Sequence, residues 1–363
     1  MGVIIKDILT IHQIELKDLE GSIVAVDGPN VVMSLLNFSY KKSSYFNSKY
    51  MIDRTRRIIS HLYGLLYRIN FYYSKKILPI FCFDGCVHPY KRLITKDKLH
   101  DFQYIKQKYK EAIENHNYQL AQQIATGKEF LWINTIQESK KMLSYLGIPY
   151  VESPASAESQ CACLVKDKVA DFTISQDFDC LVFGSLGQVR NLSKSRVRKI
   201  NNSWQYTKVK PSIIKLKENL KKWGIDIFQL VDIAMLIGTD YNKGIMGIGS
   251  KLALRFIKKF GHIESVIKNF ASKFDFSRLN EKKIAEIRKI FLFPEVINKY
   301  SNFNWNYPQI EKIMEFLCED HTLNSKRIKN NIIKFTNNYE KCTSFFKNKK
   351  LVTLKQRKLF SFI

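Results

Sequence analysis

The sequence predicts an α/β fold, a largely parallel sheet with helices on both faces, followed by a mostly helical C-terminal part. Three observations carry this. The apolar runs at 23–26, 77–83 and 172–174 are continuous rather than alternating, as in strands covered on both faces. Between them, apolar residues recur at helical spacing, and strand–helix–strand alternation is the pattern of a doubly wound sheet. After residue 225 the texture changes to helix.

In chain order, the first strand, 23–26, follows Glu20-Gly21 and ends at Asp27. Ile58, Leu62, Leu65, Leu66 and Ile69 predict a helix over 57–71. The second strand, 77–83, ends at Asp84-Gly85. Ile136, Met142, Leu143 and Leu146 predict a helix over 135–146 that stops at Gly147-Ile148-Pro149, a sound C-terminus. The third strand, 172–174, runs into Ser175-Gln176-Asp177-Phe178-Asp179. An apolar helix over 227–237 leads into Gly238-Thr239-Asp240-Tyr241, and a helix over 252–260 follows Gly247-Ile248-Gly249-Ser250-Lys251. Two helices about a Gly-Ile-Gly turn form a helix-hairpin-helix pattern, whose second helix can offer backbone N–H groups to a phosphate. Residues from about 264 to 340 read as helical, with Trp305 and Pro308 marking an extended interruption. The basic stretch 341–350 is expected to be flexible.

Composition bounds the function. A chain of 363 residues suits two domains or one large α/β domain, and 45% hydrophobic residues exclude wholesale disorder. No apolar run approaches the roughly 18 to 20 residues of a membrane span. The start lacks a secretory pattern, and Lys6 stands where myristoylation needs Ser or Thr. Seven cysteines without a Cys-x-x-Cys pair read as reduced thiols in an intracellular protein.

Charge is the feature that needs a cause. There are 59 Lys and Arg against 33 Asp and Glu, a net of +26. That balance suits a polyanionic partner, nucleic acid or an anionic membrane surface, with Lys- and Asn-rich composition the plain alternative. The charge is also uneven. Residues 186–225 hold eleven Lys or Arg against Glu218, a local net of +10. Residues 151–183 hold Glu152, Glu158, Asp167, Asp171, Asp177 and Asp179 against Lys166 and Lys168. An acidic knot in a basic protein is what a metal site working on a phosphate backbone would look like.

Each predicted strand ends in an aspartate, and ligand sites in open parallel sheets lie beyond the carboxyl ends of the strands. Six carboxylates stand out: Asp27, Asp84, Glu158, Asp177, Asp179 and Asp240. Hard oxygen donors without His or Cys point to Mg²⁺ or Mn²⁺. Two such ions about 4 Å apart suit phosphodiester hydrolysis.

The sequence resembles the flap endonucleases of the structure-specific 5′ nuclease superfamily over its whole length. The likeness rests on "IELKDLEGSIVAVDGPN", "SHLYGLLYR", "PIFCFDG", "LGIPYVESPASAESQCA", "ISQDFDCLVFG" and "LIGTDYNKGIMGIGSK", and the opening "GVIIKDILTIHQIELKDLEG" is similar to the archaeal branch. The resemblance implies a PIN-like nuclease fold in which the six carboxylates hold two Mg²⁺ ions, with Mn²⁺ able to substitute. It places Lys91 and Lys98 on a gateway helix, seven residues apart and so on one face, as electrostatic support for the scissile phosphate. The segment from about 88 to 132 would be the helical arch or cap around a single-stranded flap. Gly247, Gly249 and Lys251 would grip the duplex backbone, with K⁺ at that turn.

The implied organisation is a nuclease region over 1–100, the arch over 101–135, and a second nuclease region with the helix-hairpin-helix over 136–265. A helical region over 266–340 and a basic tail over 341–363 follow. The tail ends in Gln356-Arg357-Lys358-Leu359-Phe360-Ser361-Phe362-Ile363, which resembles the sliding-clamp binding motif, with Gln356, Leu359, Phe362 and Ile363 as its anchors. One position departs from the family: Ser156 stands where a second glutamate is usual, so one ion would be held more weakly, and Glu152 is a candidate to compensate.

The implied function is metal-dependent cleavage of DNA carrying a 5′ flap, in Okazaki fragment maturation and repair, by a monomer recruited by a PCNA-like clamp. It would act with the chromosomal DNA, in the cytoplasm or nucleoid of an archaeon or the nucleus of a eukaryote, and away from membranes. Alternatives are a mainly 5′ exonuclease, a bubble-cutting nuclease, and a clamp-recruited DNA-binding protein that has lost catalysis. The absence of a large insertion between Asp84 and Glu158 favours the flap-cutting member.

Overall fold

A computed structural model describes residues 2–36, 51–85, 96–192, 195–200, 203–300 and 303–360. The chain opens with the short strand β1 (His12–Gln13), then β2 (Ile23–Asp27) and α1 (Gly28–Leu35). Next come α2 (Ser60–Ser74), β3 (Leu78–Phe83), α3 (Lys96–Glu114), α4 (Tyr118–Thr126) and α5 (Lys128–Tyr145). The second half of the sheet region holds β4 (Tyr150–Glu152), α6 (Ala157–Lys166), β5 (Phe172–Ile174), α7 (Asp179–Val182) and β6 (Gly187–Arg190). A separate hairpin, β7 (Ser195–Ile200) with β8 (Ser203–Lys208), precedes β9 (Ser212–Lys215) and α8 (Leu216–Trp223). The C-terminal half continues through α9 (Ile227–Ile237), β10 (Gly238–Thr239), β11 (Asn242–Lys243), α10 (Ser250–Phe260), α11 (Ile263–Phe270) and α12 (Glu281–Leu292). It closes with α13 (Ile310–Met314), a π-helical run over Glu315–Asp320, and α14 (Ser325–Phe360).

The main sheet has seven strands in the order β1-β9-β6-β5-β2-β3-β4. Five neighbours from β6 to β4 are parallel, and β9 and β1 add an antiparallel edge. The continuous apolar runs are explained by burial on both faces. Val24, Val26, Phe81 and Phe83 join one core with Leu62, Leu65 and Leu66 of α2, Met142 and Leu143 of α5, and Ile328 and Phe335 of α14. Ala25, Ile80 and Cys82 point the other way, against Cys161, Leu164 and Val165 of α6. Truncating one of these side chains, Leu66→Ala for instance, costs about 2–5 kcal/mol.

Several elements differ from the sequence expectation for local reasons. The helix expected over 57–71 starts at Ser60, because Asp53 holds 53–57 in a turn: its Oδ1 accepts from Thr55 Oγ1 and the Arg57 N–H. The helix expected over 135–146 begins earlier, at Lys128. It ends where Gly147 adopts φ +70, and a Cβ there would lie 2.2 Å from the Asn306 carbonyl. The boundaries drawn at 100, 135, 265 and 340 all fall inside helices, namely α3, α5, α11 and α14. Helices α3, α4 and the start of α5 have their own small core, in which Phe102, Tyr109 and Ala112 of α3 meet Ala121 and Ala125 of α4 and Phe130 of α5.

The stretch 341–350 is not a flexible linker. It is the middle of α14, held by the buried Cys342, by Phe346 against the first core, and by Lys349 Nζ donating to the Gly21 carbonyl at 3.0 Å. Periodic contact with α2 is a tertiary fact that lysine content conceals. Trp305 does mark an extended segment; its Nε1–H donates to the Pro79 carbonyl at 2.8 Å, where β4 no longer reaches β3. Among the described residues no helix is long and apolar enough to cross a membrane, and Cys82, Cys161, Cys163, Cys180, Cys318 and Cys342 are free thiols.

Candidate functional site

Six carboxylates gather at the carboxyl end of the parallel strands and at the turn after α9. Asp27 is the last residue of β2 and caps α1, so the strand-to-helix switch itself aims it. It is buried; its Oδ1 accepts from the Asn30 N–H at 3.2 Å and its Oδ2 from Ser175 Oγ at 2.8 Å. Asp84 follows β3, and its Oδ1 accepts from the Ala157 N–H at 2.8 Å. Glu158 sits in the first turn of α6. Asp177 follows β5, and its Oδ2 accepts from Asn30 Nδ2 at 2.9 Å. Asp179 opens α7 and is buried, with Oδ1 accepting from the Val3 N–H at 3.3 Å. Asp240 lies between the paired strands β10 and β11.

These groups feel one another. Burial first, then the charges of Glu158 and Asp84, push Asp27 well above the usual carboxylate range. Burial, then Glu158, Asp240 and Asp177, push Asp179 up to about 7. Asp177 is raised by lost hydration, with the amino terminus opposing and Glu158 and Asp240 adding to it. Glu158 thus acts on Asp27, Asp177 and Asp179 together. Among the described residues no three acidic, His or Cys groups are drawn tightly enough to enclose an ion. The donor set nevertheless fits one: oxygen ligands only, two of them buried, with mutual repulsion that a divalent cation would relieve.

Ser156 and Glu152 take other roles. Ser156 caps α6, its Oγ accepting from the Ser159 N–H at 3.2 Å, so it orients the helix that carries Glu158. Glu152 is an exposed strand-end residue paired with Lys140 at 3.1 Å.

Four further residues shape the site without a sequence signal strong enough to single them out. Gly2 lies so close that an added Cβ would stand 2.1 Å from Asp179 Oδ2 and 2.7 Å from Asp177 Cβ. Asn30 spans Asp27 and Asp177. Gln188 Nε2 donates to the Ser175 carbonyl at 3.2 Å and to the Asp177 carbonyl. Arg190 lies 4.0 Å over the Phe178 ring and donates to the Gln176 carbonyl at 2.6 Å. The opening Met-Gly and the spacing Asp27-Gly-Pro-Asn30 were the only hints in the chain.

The hairpin element forms as expected. Gly247 has φ +86, Gly249 caps α10 with open space in front of it, and Lys251 is in the first turn. Lys251, Arg255, Lys258 and Lys259 line a shallow groove on α10. Lys98 falls in the first turn of α3, while Lys91 lies outside the described residues. Gln356 and Leu359 belong to the backbone of α14; Phe362 and Ile363 lie outside the described residues.

The chain is similar to known proteins over its whole length. The XPG N-terminal domain matches residues 1–108 and the XPG I-region matches 147–240. Flap endonuclease 1 of Nanoarchaeum equitans is 35% identical over 364 residues, spanning 100% of this chain and 99% of its own. That of Archaeoglobus fulgidus is 33% identical over 90% of this chain and 94% of its own. Among solved structures, flap endonuclease-1 from Methanococcus jannaschii superposes with a TM-score of 0.70 at 29% identity, covering 96% of this chain and 100% of that one. The catalytic core of Rad2 in complex with DNA substrate shares the fold, with a TM-score of 0.63 at 21% identity over 92% of this chain and 97% of that one.

Proposed function

The chain belongs to the flap endonuclease family, and on that premise we propose that its six gathered carboxylates hold two Mg²⁺ ions for the hydrolysis of DNA. The protein is a structure-specific flap endonuclease that cuts phosphodiester bonds where a 5′ single strand leaves the duplex, in replication and repair. The observation that carries the metal assignment is the shared influence of Glu158 on Asp27, Asp177 and Asp179. Like charges this close require a countercharge when the site is working.

When bound, the ions supply Lewis acidity and an activated water for in-line attack, leaving a 5′-phosphate. The protein's share is positioning. Glu158 acts on Asp27 at the β2 end and on Asp177 and Asp179 at β5 and α7, while Asp84 after β3 acts on Asp27 and Asp240 after α9 acts on Asp177 and Asp179. Ser156 is a neutral cap, so one ion is held more weakly than by a glutamate in that place. Lys91 and Lys98 steady the scissile phosphate, and Lys251, with Gly247 and Gly249, holds the duplex backbone at a turn that also accepts K⁺. The substrate is branched DNA with a 5′ flap, read by backbone charge and shape. Gln356, Leu359, Phe362 and Ile363 bind a PCNA-like clamp, and the enzyme acts as a monomer with the chromosomal DNA.

Titrating Mg²⁺ and Mn²⁺ against cleavage of a labelled 5′-flap substrate tests this, with Asp179→Ala as the control. Wild-type cleavage that needs the ion and vanishes in the variant supports the reading. Wild-type and variant both binding the flap, and neither cutting it under either ion, would replace it with a non-catalytic DNA-binding role.

A further inference from the structure

A closed ring of hydrogen bonds joins two of the carboxylates across adjacent strands. The Asn30 N–H donates to Asp27 Oδ1 at 3.2 Å, and Asn30 Nδ2 donates to Asp177 Oδ2 at 2.9 Å. The Asp177 N–H donates to Ser175 Oγ at 3.2 Å, and that hydroxyl donates to Asp27 Oδ2 at 2.8 Å. Asn30 is locked in turn, because its Oδ1 accepts from the Gln176 N–H at 3.0 Å. The ring sits where β2 and β5 end side by side, with Val26 opposite Ile174.

We propose that Asn30 is a positioning residue of the metal centre, its carboxamide tying Asp177 to the start of α1 beside Asp27 and setting the oxygen that Asp177 presents to an ion. The inference rests on the assignment of these carboxylates as metal ligands. Its physical basis is the neutrality of the carboxamide. Two carboxylates on adjacent strand ends repel, and a Lys or Arg bridge would hold them only by cancelling the charge that attracts a divalent cation. An amide supplies a donor to Asp177 and an acceptor to Gln176 without adding charge. With Asp177 Oδ2 held by Asn30, Oδ1 is the oxygen left for the ion. Such outer partners orient first ligands, and removing them typically lowers metal affinity by about 10 to 100-fold.

The same ring explains why Ser175 belongs with Asn30. Asn30 holds the Asp177 carboxylate through its side chain and the Asp27 carboxylate through its backbone N–H, while the Ser175 hydroxyl holds the Asp27 carboxylate and accepts from the Asp177 backbone N–H. Residues acting as one unit give non-additive losses, so their double variant should lose little more than the worse single variant.

The experiment measures Mn²⁺ binding to the full chain without DNA by titration calorimetry, for wild type, Asn30→Leu, Ser175→Ala and the double variant. Thermal melting in chelator checks that each folds, and Ser175→Ala removes only one oxygen should Asn30→Leu fail to fold. The expected result is affinity about tenfold or more weaker in each single variant, with sub-additive loss in the double and a matching rise in the Mn²⁺ needed for half-maximal flap cleavage. Folded single variants with wild-type Mn²⁺ affinity would overturn the role of Asn30 while leaving the metal assignment standing. Absence of Mn²⁺ binding by the wild-type chain would overturn both.

Discussion

The Ala157 N–H donates to Asp84 Oδ1 at 2.8 Å, so the start of α6, and with it Glu158, is tied to the end of β3. Asp84 therefore has two tasks, one structural and one electrostatic. Asp84→Asn keeps an acceptor oxygen for Ala157 and removes the charge. It is expected to melt within a few degrees of wild type yet cleave a 5′ flap about 10²-fold or more slowly. Asp84→Leu should lose both, and comparing the two variants by thermal melting and single-turnover cleavage separates the tasks.

Asp179 gives a pH signature. Its folded-state pKa of about 7 exceeds the usual 3.8, so the folded chain binds the extra proton between those values. The contribution of Asp179 to stability in chelator is therefore fully present below about pH 4, falls as pH rises towards 7, and then levels. Mg²⁺ should flatten this decline, and Asp179→Asn should melt higher than wild type in chelator at pH 8. Melting curves across pH, with and without Mg²⁺, read both.

A second buried cluster has the opposite sign. Burial alone would raise Asp53, but the His321 contact at 3.2 Å and the Arg57 charge outweigh it and hold it below the usual range. Glu138 is likewise opposed by burial and lowered by His61 and His321. Depressed carboxylates give stability that is present above their unfolded pKa and lost as pH falls through the folded values. Melting temperature should therefore drop steeply below about pH 4, and Asp53→Asn should make that acid limb shallower.

The two ends of α14 should behave differently on truncation. Deleting 341–363 removes the buried Cys342 and the Lys349–Gly21 contact, and should lower the melting temperature clearly. Deleting only 356–363 should leave melting and intrinsic cleavage near wild type and abolish binding to a sliding clamp. Unchanged clamp affinity in the shorter deletion would refute the clamp motif.

Lys251 lies in the first turn of α10, beside Arg255 and Lys258 in the same groove. Lys251→Ala should weaken flap binding regardless of base sequence and reduce the salt slope of the affinity by about one. Fluorescence anisotropy at several salt concentrations checks this; a sequence-dependent loss would argue against a backbone contact.

Much of this was legible in the chain because its signals are local. Strand runs ending in Asp27, Asp84 and the 177–179 turn needed only hydrophobic pattern and turn chemistry. What escaped notice depended on contacts far apart in sequence. Lys341 to Lys350 read as a solvated tail because its anchors lie on α2 and at Gly21, more than 260 residues away in sequence.

The sequence by itself determined the doubly wound core, the six acidic positions and the family, because residue type and short-range spacing encode them. Only the tertiary structure decided how those acids act together. Parallel pairing sets β2 beside β5, and that register brings Asn30 to Asp177 and Ser175 to Asp27, 147 and 148 positions apart along the chain. It also packs Gly2 against Asp179, where no side chain fits. Burial and mutual repulsion are properties of that assembled arrangement, and they raise Asp27 and Asp179 above the range either carboxylate would have alone.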